Sequence, residues 1–296
     1  MKTRLFPTRL LLLLLLLLTP SLTEASFQLL SYGPHPRHVV GLWKDDDQAS
    51  SSSSPWIIYI HGGAWRRQQD SWQDFHPSVN NMISSRLFPP GTTFASIDYR
   101  LSPCAYPGAN PCPFPIQHPD HIMDVRAALQ MLSQQHGLQE NSYVLVGHSA
   151  GATLSFQLLM GEAALQGQPL IYAPLPIAVI GIAGIYDMSA INDRFRGAYS
   201  DFLTMAFGTD LSLWHRASPA RFMGSFRHSL PPSGTVLLAR SPQDSLVDEP
   251  ELDTMARKLE ADGVAFSVVK TLRGEHNSVW ADGDQITALV TSVFPR

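Results

Sequence analysis

The stretch from residue 142 to 156 constrains this chain more than any other. Ser142-Tyr143-Val144-Leu145-Val146 is a short apolar run, Gly147-His148-Ser149-Ala150-Gly151 follows it, and Ala152-Thr153-Leu154-Ser155-Phe156 continues in a helix-compatible pattern. A serine flanked by small residues, between a buried strand and a helix start, predicts a sharp strand-to-helix turn. Only small neighbours let the backbone come that close, and the turn leaves the serine Oγ exposed. Ser149 is therefore the candidate nucleophile, with the N–H of Ala150 aimed at a developing oxyanion.

The remaining apolar runs say what surrounds that turn. Residues 56–60 and 177–183 are continuous apolar segments bounded by turn residues, as fully buried strands of a parallel sheet are. Residues 92–99, 235–239 and 265–269 read as further strands, and residues 38–43 as an early edge strand. Helical spacing places Ile122, Val125, Ala128, Leu129 and Leu132 on one face of a helix over 120–135. Helices over about 249–261 and from about 284 complete the alternation. Strands alternating with helices predict an α/β fold with a doubly wound, mainly parallel sheet. A helical, aromatic-rich insertion over about 199–226 is the expected cap, and no repeat or linker divides residues 26–296.

A nucleophilic serine needs a base, and the base needs a carboxylate, in the chain order Ser, Asp/Glu, His for this kind of turn. His215, His228 and His276 come late enough to be the base. The first two fall in or beside the cap insertion, whereas His276 follows the last strand, where site loops gather. Asp244 lies just past the strand at 235–239. Asp248, its competitor, is followed by Glu249-Pro250 and reads as a helix N-cap. Glu275 is expected to face solvent. His61-Gly62-Gly63-Ala64-Trp65 follows the 56–60 strand, so Gly62, Gly63 and Ala64 are expected to add backbone oxyanion donors. His61 and His148 read as structural residues. His118, Asp120, His121 and Asp124 read as the start of a helix and not as a metal site, and neither a metal nor a cofactor is expected.

The N-terminus carries Lys2, Arg4 and Arg9, then an unbroken leucine run over 10–18, then small residues before a possible cleavage point after Ala25. This is the pattern of a secretory leader, too short for an ordinary membrane span. An uncleaved leader would be the one route to a membrane. The chain has no Asn-x-Ser/Thr sequon, and its two cysteines, Cys104 and Cys112, share one proline-rich loop over 103–119. They are either a short disulfide or two free thiols. The net charge of −4 and a pI near 6.2 supply no basic footprint for nucleic acid.

The run from Trp56 through His61-Gly62-Gly63-Ala64-Trp65 resembles fungal kynurenine formamidases (arylformamidases), which carry an HGGxW signature. The likeness continues through Ser96-Ile97-Asp98-Tyr99-Arg100-Leu101-Ser102-Pro103, His118-Pro119-Asp120-His121, the Ser149 motif, Gly184-Ile185-Tyr186-Asp187 and His276-Asn277-Ser278-Val279-Trp280. It implies an α/β-hydrolase fold, a triad of Ser149, Asp244 and His276, and hydrolysis of N-formyl-L-kynurenine, a small aromatic formamide, with Trp65 narrowing the acyl site. A carboxylesterase of broader specificity would use the same machinery. The leucine-rich leader and the long loop at 103–119 depart from the family pattern, whose members are usually cytosolic.

Overall fold

A computed structural model describes residues 26–44, 54–104 and 115–294. The leader, the serine-rich stretch at 45–53 and Cys112 lie outside the described residues. Eight strands form one sheet: β1 (Ser26–Ser31), β2 (Val39–Lys44), β3 (Trp56–Ile60), β4 (Thr93–Ile97), β5 (Tyr143–His148), β6 (Ala178–Ile182), β7 (Thr235–Ala239) and β8 (Ala265–Val269). Their order is β1-β2-β4-β3-β5-β6-β7-β8; the pairs made by β2 are antiparallel and the rest are parallel. This is the doubly wound, mainly parallel sheet the apolar runs predict.

Every residue of β3, β4, β5 and β6 is buried. Alternate residues point to opposite faces, so full burial means that both faces are covered. The helices of the described residues are α1 (His76–Ser85), α2 (Asp120–His136), α3 (Ala150–Leu159), α4 (Met188–Arg194), α5 (Ser200–Phe207), α6 (Leu211–Ala217), α7 (Glu249–Ala261), α8 (Ser278–Ala281) and α9 (Asp284–Val293). α2 packs against α3, and α1 against α8 and α9. The predicted face of α2, from Ile122 to Leu132, is buried completely.

Two expectations need correction. The strand expected at the edge, β2, is an inner strand, because β1 pairs along its whole length. The β1 sequence, Ser-Phe-Gln-Leu-Leu-Ser, has no β-branched residue to mark it as a strand. The cap also begins earlier than residue 199: α4 opens at Met188, where the Asp187 carboxylate accepts from the Ala190 N–H at 3.1 Å.

A buried carboxylate ties the cap to the sheet's helices. Glu251 of α7, with no exposed surface, accepts from the N–H groups of Tyr186 and Asp187 at 2.5 and 2.8 Å and pairs with Arg194 at 2.5 Å. Burial pushes its carboxyl up to about 7, against the pull of those partners. Between the unfolded value near 4.5 and that raised value, the folded protein keeps a proton that the unfolded chain has released. This group's stabilising contribution is complete below pH 4.5 and is lost as pH rises through 7. Glu251→Gln should therefore flatten that dependence. In thermal unfolding, the Tm of the variant relative to the parent is expected to climb from pH 4.5 to pH 8; a constant difference would contradict the account.

Candidate active site

The turn after β5 has the geometry that the small residues of its sequence permit. Ser149 takes φ 53°, ψ −121° between β5 and α3, and its N–H donates to the Ile182 carbonyl of β6 at 2.8 Å. A non-glycine residue held at positive φ is strained, typically by about 1–3 kcal/mol, and persists only where the surroundings fix it. Gly151 shows how tightly they do so. A Cβ there would stand 2.1 Å from the Ile60 carbonyl oxygen and 2.6 Å from that of His61. The start of α3 is thus pressed onto the end of β3, where the oxyanion loop begins.

That loop reaches Ser149 directly: a Cβ on Gly62 would meet His148 Nδ1 at 2.9 Å and Ser149 Cβ at 3.0 Å. Gly63, Ala64 and Trp65 all have positive φ, and the loop closes through Arg66 and Arg67 N–H donation to the Gly63 carbonyl at 3.0 and 2.8 Å. Among the described residues no protein acceptor takes the N–H of Gly63 or Ala64. Ala150 opens α3, where the first amides have no intrahelical acceptor. Preorganised N–H groups of this kind suit a developing oxyanion.

The loops after β7 and β8 bring Asp244 and His276 together, with His276 Nδ1 2.8 Å from Asp244 Oδ2 and both side chains buried. Burial pushes the Asp244 carboxyl up, but the hydrogen bond and charge of His276, with N–H donation from Val247 and Leu246 at 2.9 Å each, outweigh it. The carboxyl is held below the usual carboxylate range. An ionised Asp244 can only accept, so His276 Nδ1 carries the proton of this hydrogen bond.

Residues on either side of this pair lock the two loops together. Gly274 N–H donates to Gln243 Oε1 at 2.6 Å, and Ser245 Oγ donates to Glu275 Oε2 at 2.8 Å. Glu275 is exposed as expected, but it works as a latch. His148 joins the same assembly: its Nε2–H donates to the His276 carbonyl at 3.0 Å, and the two rings lie 4.6 Å apart. Burial, and then the proximity of His276, lower His148 to about 3, so its ring is neutral. The histidine next to Ser149 therefore fixes the loop that carries His276.

The loop from Gly62 to Trp65 has its own support. His61, fully buried and stacked on Tyr99 at 4.3 Å, bridges Asp98 at 3.1 Å and the Gly62 carbonyl at 3.0 Å. Arg37, just before β2, contacts the same Asp98 at 2.9 Å, the Gln68 carbonyl at 3.3 Å and the carbonyl of Asp70. No local pattern marks Arg37, whose role depends on a contact 61 positions away. Trp65 is wholly buried between Phe202 and Phe207 of α5, with ring centroids at 6.3 and 5.0 Å, and its carbonyl accepts from Ser102 at 2.7 Å. Its direct effect is to hold the cap on the oxyanion loop.

The competing residues go elsewhere. His215 sits in α6 and His228 in a 3₁₀ turn, Phe226–Ser229; neither contacts Asp244. Asp248 occupies the N-cap position of α7 but makes no capping bond; its carboxylate pairs with Arg194 at 2.6 Å. Asp124 is committed to Arg100 at 2.7 Å, and His121 to Ser102 at 3.0 Å. Cys104 is disulfide-bonded, and the sequence holds one other cysteine, Cys112.

Gly151 carries the clearest structural prediction. Because a Cβ would meet backbone, relief requires α3 or β3 to move. Gly151→Ala is expected to cost about 1–3 kcal/mol or more of stability and to displace Ser149 from the oxyanion loop. Thermal unfolding and active-site titration check both effects; a variant of native stability and full titre would contradict the packing argument.

The comparisons with known proteins place the chain in a family. The BD-FAE family model matches residues 46–259. The kynurenine formamidase-like hydrolase fscH of Fusarium equiseti is 34% identical over 90% of this chain and 90% of its own length. A kynurenine formamidase of Meyerozyma guilliermondii is 30% identical over 91% of this chain and 94% of its own. Among solved structures, esterase B of Lactobacillus rhamnosis superposes with a TM-score of 0.68 over 91% of this chain and 84% of its own, at 17% identity, a likeness of fold alone. The chain is a hydrolase of the α/β-hydrolase fold, and it belongs to the family of the fungal kynurenine formamidases.

Proposed function

We propose that this enzyme hydrolyses N-formyl-L-kynurenine to L-kynurenine and formate, with Ser149 as nucleophile, His276 as base and Asp244 as its orienting acid. The observation that carries the substrate is kinship with kynurenine formamidases over about nine-tenths of both chains. The observation that supports the machinery is the buried Asp244–His276 pair, held by His148 against the Ser149 turn.

The chemistry runs in two halves. His276 Nε2 takes the proton as Ser149 Oγ attacks the formyl carbon, and the carbonyl oxygen becomes an oxyanion facing the N–H groups of Gly63, Ala64 and Ala150. The C–N bond then breaks, His276 returns its proton to the departing arylamine nitrogen, and Ser149 is left as a formyl ester. Water, deprotonated by His276, attacks that ester; the C–O bond to Ser149 breaks, His276 returns the proton to Ser149 Oγ, and formic acid leaves and ionises to formate by giving its proton to solvent. No step calls on a metal or cofactor. The N-terminal leader, together with a disulfide at Cys104, supports a place in the secretory pathway, where disulfides persist.

The deciding experiment compares kcat/KM for N-formyl-L-kynurenine with that for acetyl and butyryl aryl esters. The formamide is expected to be the better substrate; efficient ester cleavage with background turnover of the formamide would sink this reading in favour of a carboxylesterase. Ser149→Ala is expected to abolish both activities, and Asp244→Asn to lower kcat by about 10²–10⁴-fold with the fold intact.

A further inference from the structure

We infer that the Arg66–Asp201 ion pair is the subsite for the zwitterionic amino-acid head of the substrate, Arg66 taking its carboxylate and Asp201 its ammonium group. The inference rests on the formamidase reading above and adds the residues that would make this site select an amino acid.

Position is the first argument. The start of α5 spans the site from one side to the other. Tyr199, just before it, donates to the carbonyl of Leu246, two residues past Asp244. Phe202 packs on Trp65 of the oxyanion loop at 6.3 Å and on Tyr199 at 5.1 Å. Asp201 lies between these two anchors and pairs with Arg66, the residue after Trp65. The pair therefore sits on the strap that joins the acid loop to the oxyanion loop.

Availability is the second. Arg66 and Asp201 side chains are 39% and 66% exposed. Arg37, Arg67, Arg194 and Arg221 each pair with a largely buried carboxylate, that of Asp98, Asp70, Glu251 and Asp187 respectively, whereas the partner of Arg66 is exposed. Beyond its partner, the Arg66 guanidinium lies 5.7 Å from the Phe202 ring centroid and 3.6 Å from Met205 Sδ.

Charge balance is the third. An exposed ion pair contributes little to stability, so exchanging it for a ligand's charges loses little. A zwitterion satisfies both members at once and leaves neither charge unpaired, and a guanidinium matches a carboxylate in two parallel hydrogen bonds. A neutral aryl ester or formamide has nothing to exchange. The pair thus separates substrates by their amino-acid head, while the Ser149 machinery is indifferent to it.

The test uses the full-length enzyme with two formamides, N-formyl-L-kynurenine and N-formyl-2-aminoacetophenone, which lacks the amino-acid head. Arg66→Gln and Asp201→Asn are each expected to lower the ratio of the two kcat/KM values about tenfold or more, mostly through KM for the amino acid. Fluorophosphonate titration of Ser149 normalises for folded enzyme. Inhibition of 4-nitrophenyl acetate hydrolysis by L-kynurenine gives a second readout, its Ki rising by a similar factor in each variant. Wild-type turnover of formylkynurenine with the ratio unchanged in the variants overturns the subsite alone. Wild-type enzyme inert toward formylkynurenine overturns the formamidase reading and the subsite with it.

Discussion

The contact between the first turn of α3 and the end of β3 is the constraint from which the site follows. Gly151 brings the helix backbone so near the Ile60 and His61 carbonyls that no side chain fits between them. That approach forces Ser149 into positive φ and sets it against Gly62, so the proposed nucleophile and the proposed oxyanion loop are positioned by one packing event. The cost of the strained residue is met by the surrounding sheet, whose inner strands are buried on both faces. A loosely packed α3 would lose the serine and the oxyanion donors together.

The other half of the site depends on loops, and loops need fastening. Asp244 and His276 stand 32 residues apart on separate strand ends. Their hydrogen bond is bracketed by Gln243 to Gly274 on one side and Ser245 to Glu275 on the other, while His148 grips the His276 carbonyl from the nucleophile's own turn. The brackets restrict the imidazole more than a single bond can, since hydrogen bonds in a network act jointly. Arg37, Asp98 and His61 do the same for the oxyanion loop from below. Ser149 and His276 thus rest on hydrogen-bonded polar residues, which is how a buried site avoids stranded charge.

How much of this was legible in the sequence depends on distance along the chain. The inner strands, α2, α7 and the Ser149 turn were readable because apolar runs and glycine spacing are local signals. Strands β3, β7 and β8 begin and end where the apolar runs do. β1 escaped because it lacks β-branched residues, and α4 because its helix lies ahead of the aromatic-rich stretch that marked the cap. The pairing of Asp244 with His276 was expected from chain order. Arg37, Gln243 and Glu275 were not singled out as supports, because each acts only through a partner about 30 or more residues away. Trp65 was assigned to the acyl site by resemblance, whereas its visible contacts are with the cap.

The central claim is that Ser149 is the nucleophile, activated by the His276–Asp244 pair beside preformed oxyanion donors. The most direct measurement is peptide mapping by mass spectrometry after reaction with a fluorophosphonate. The account predicts one adduct per chain, on the peptide carrying Ser149, forming far more slowly when His276 is replaced by alanine. Folded protein that stays unlabelled, or an adduct on any other serine, would contradict it.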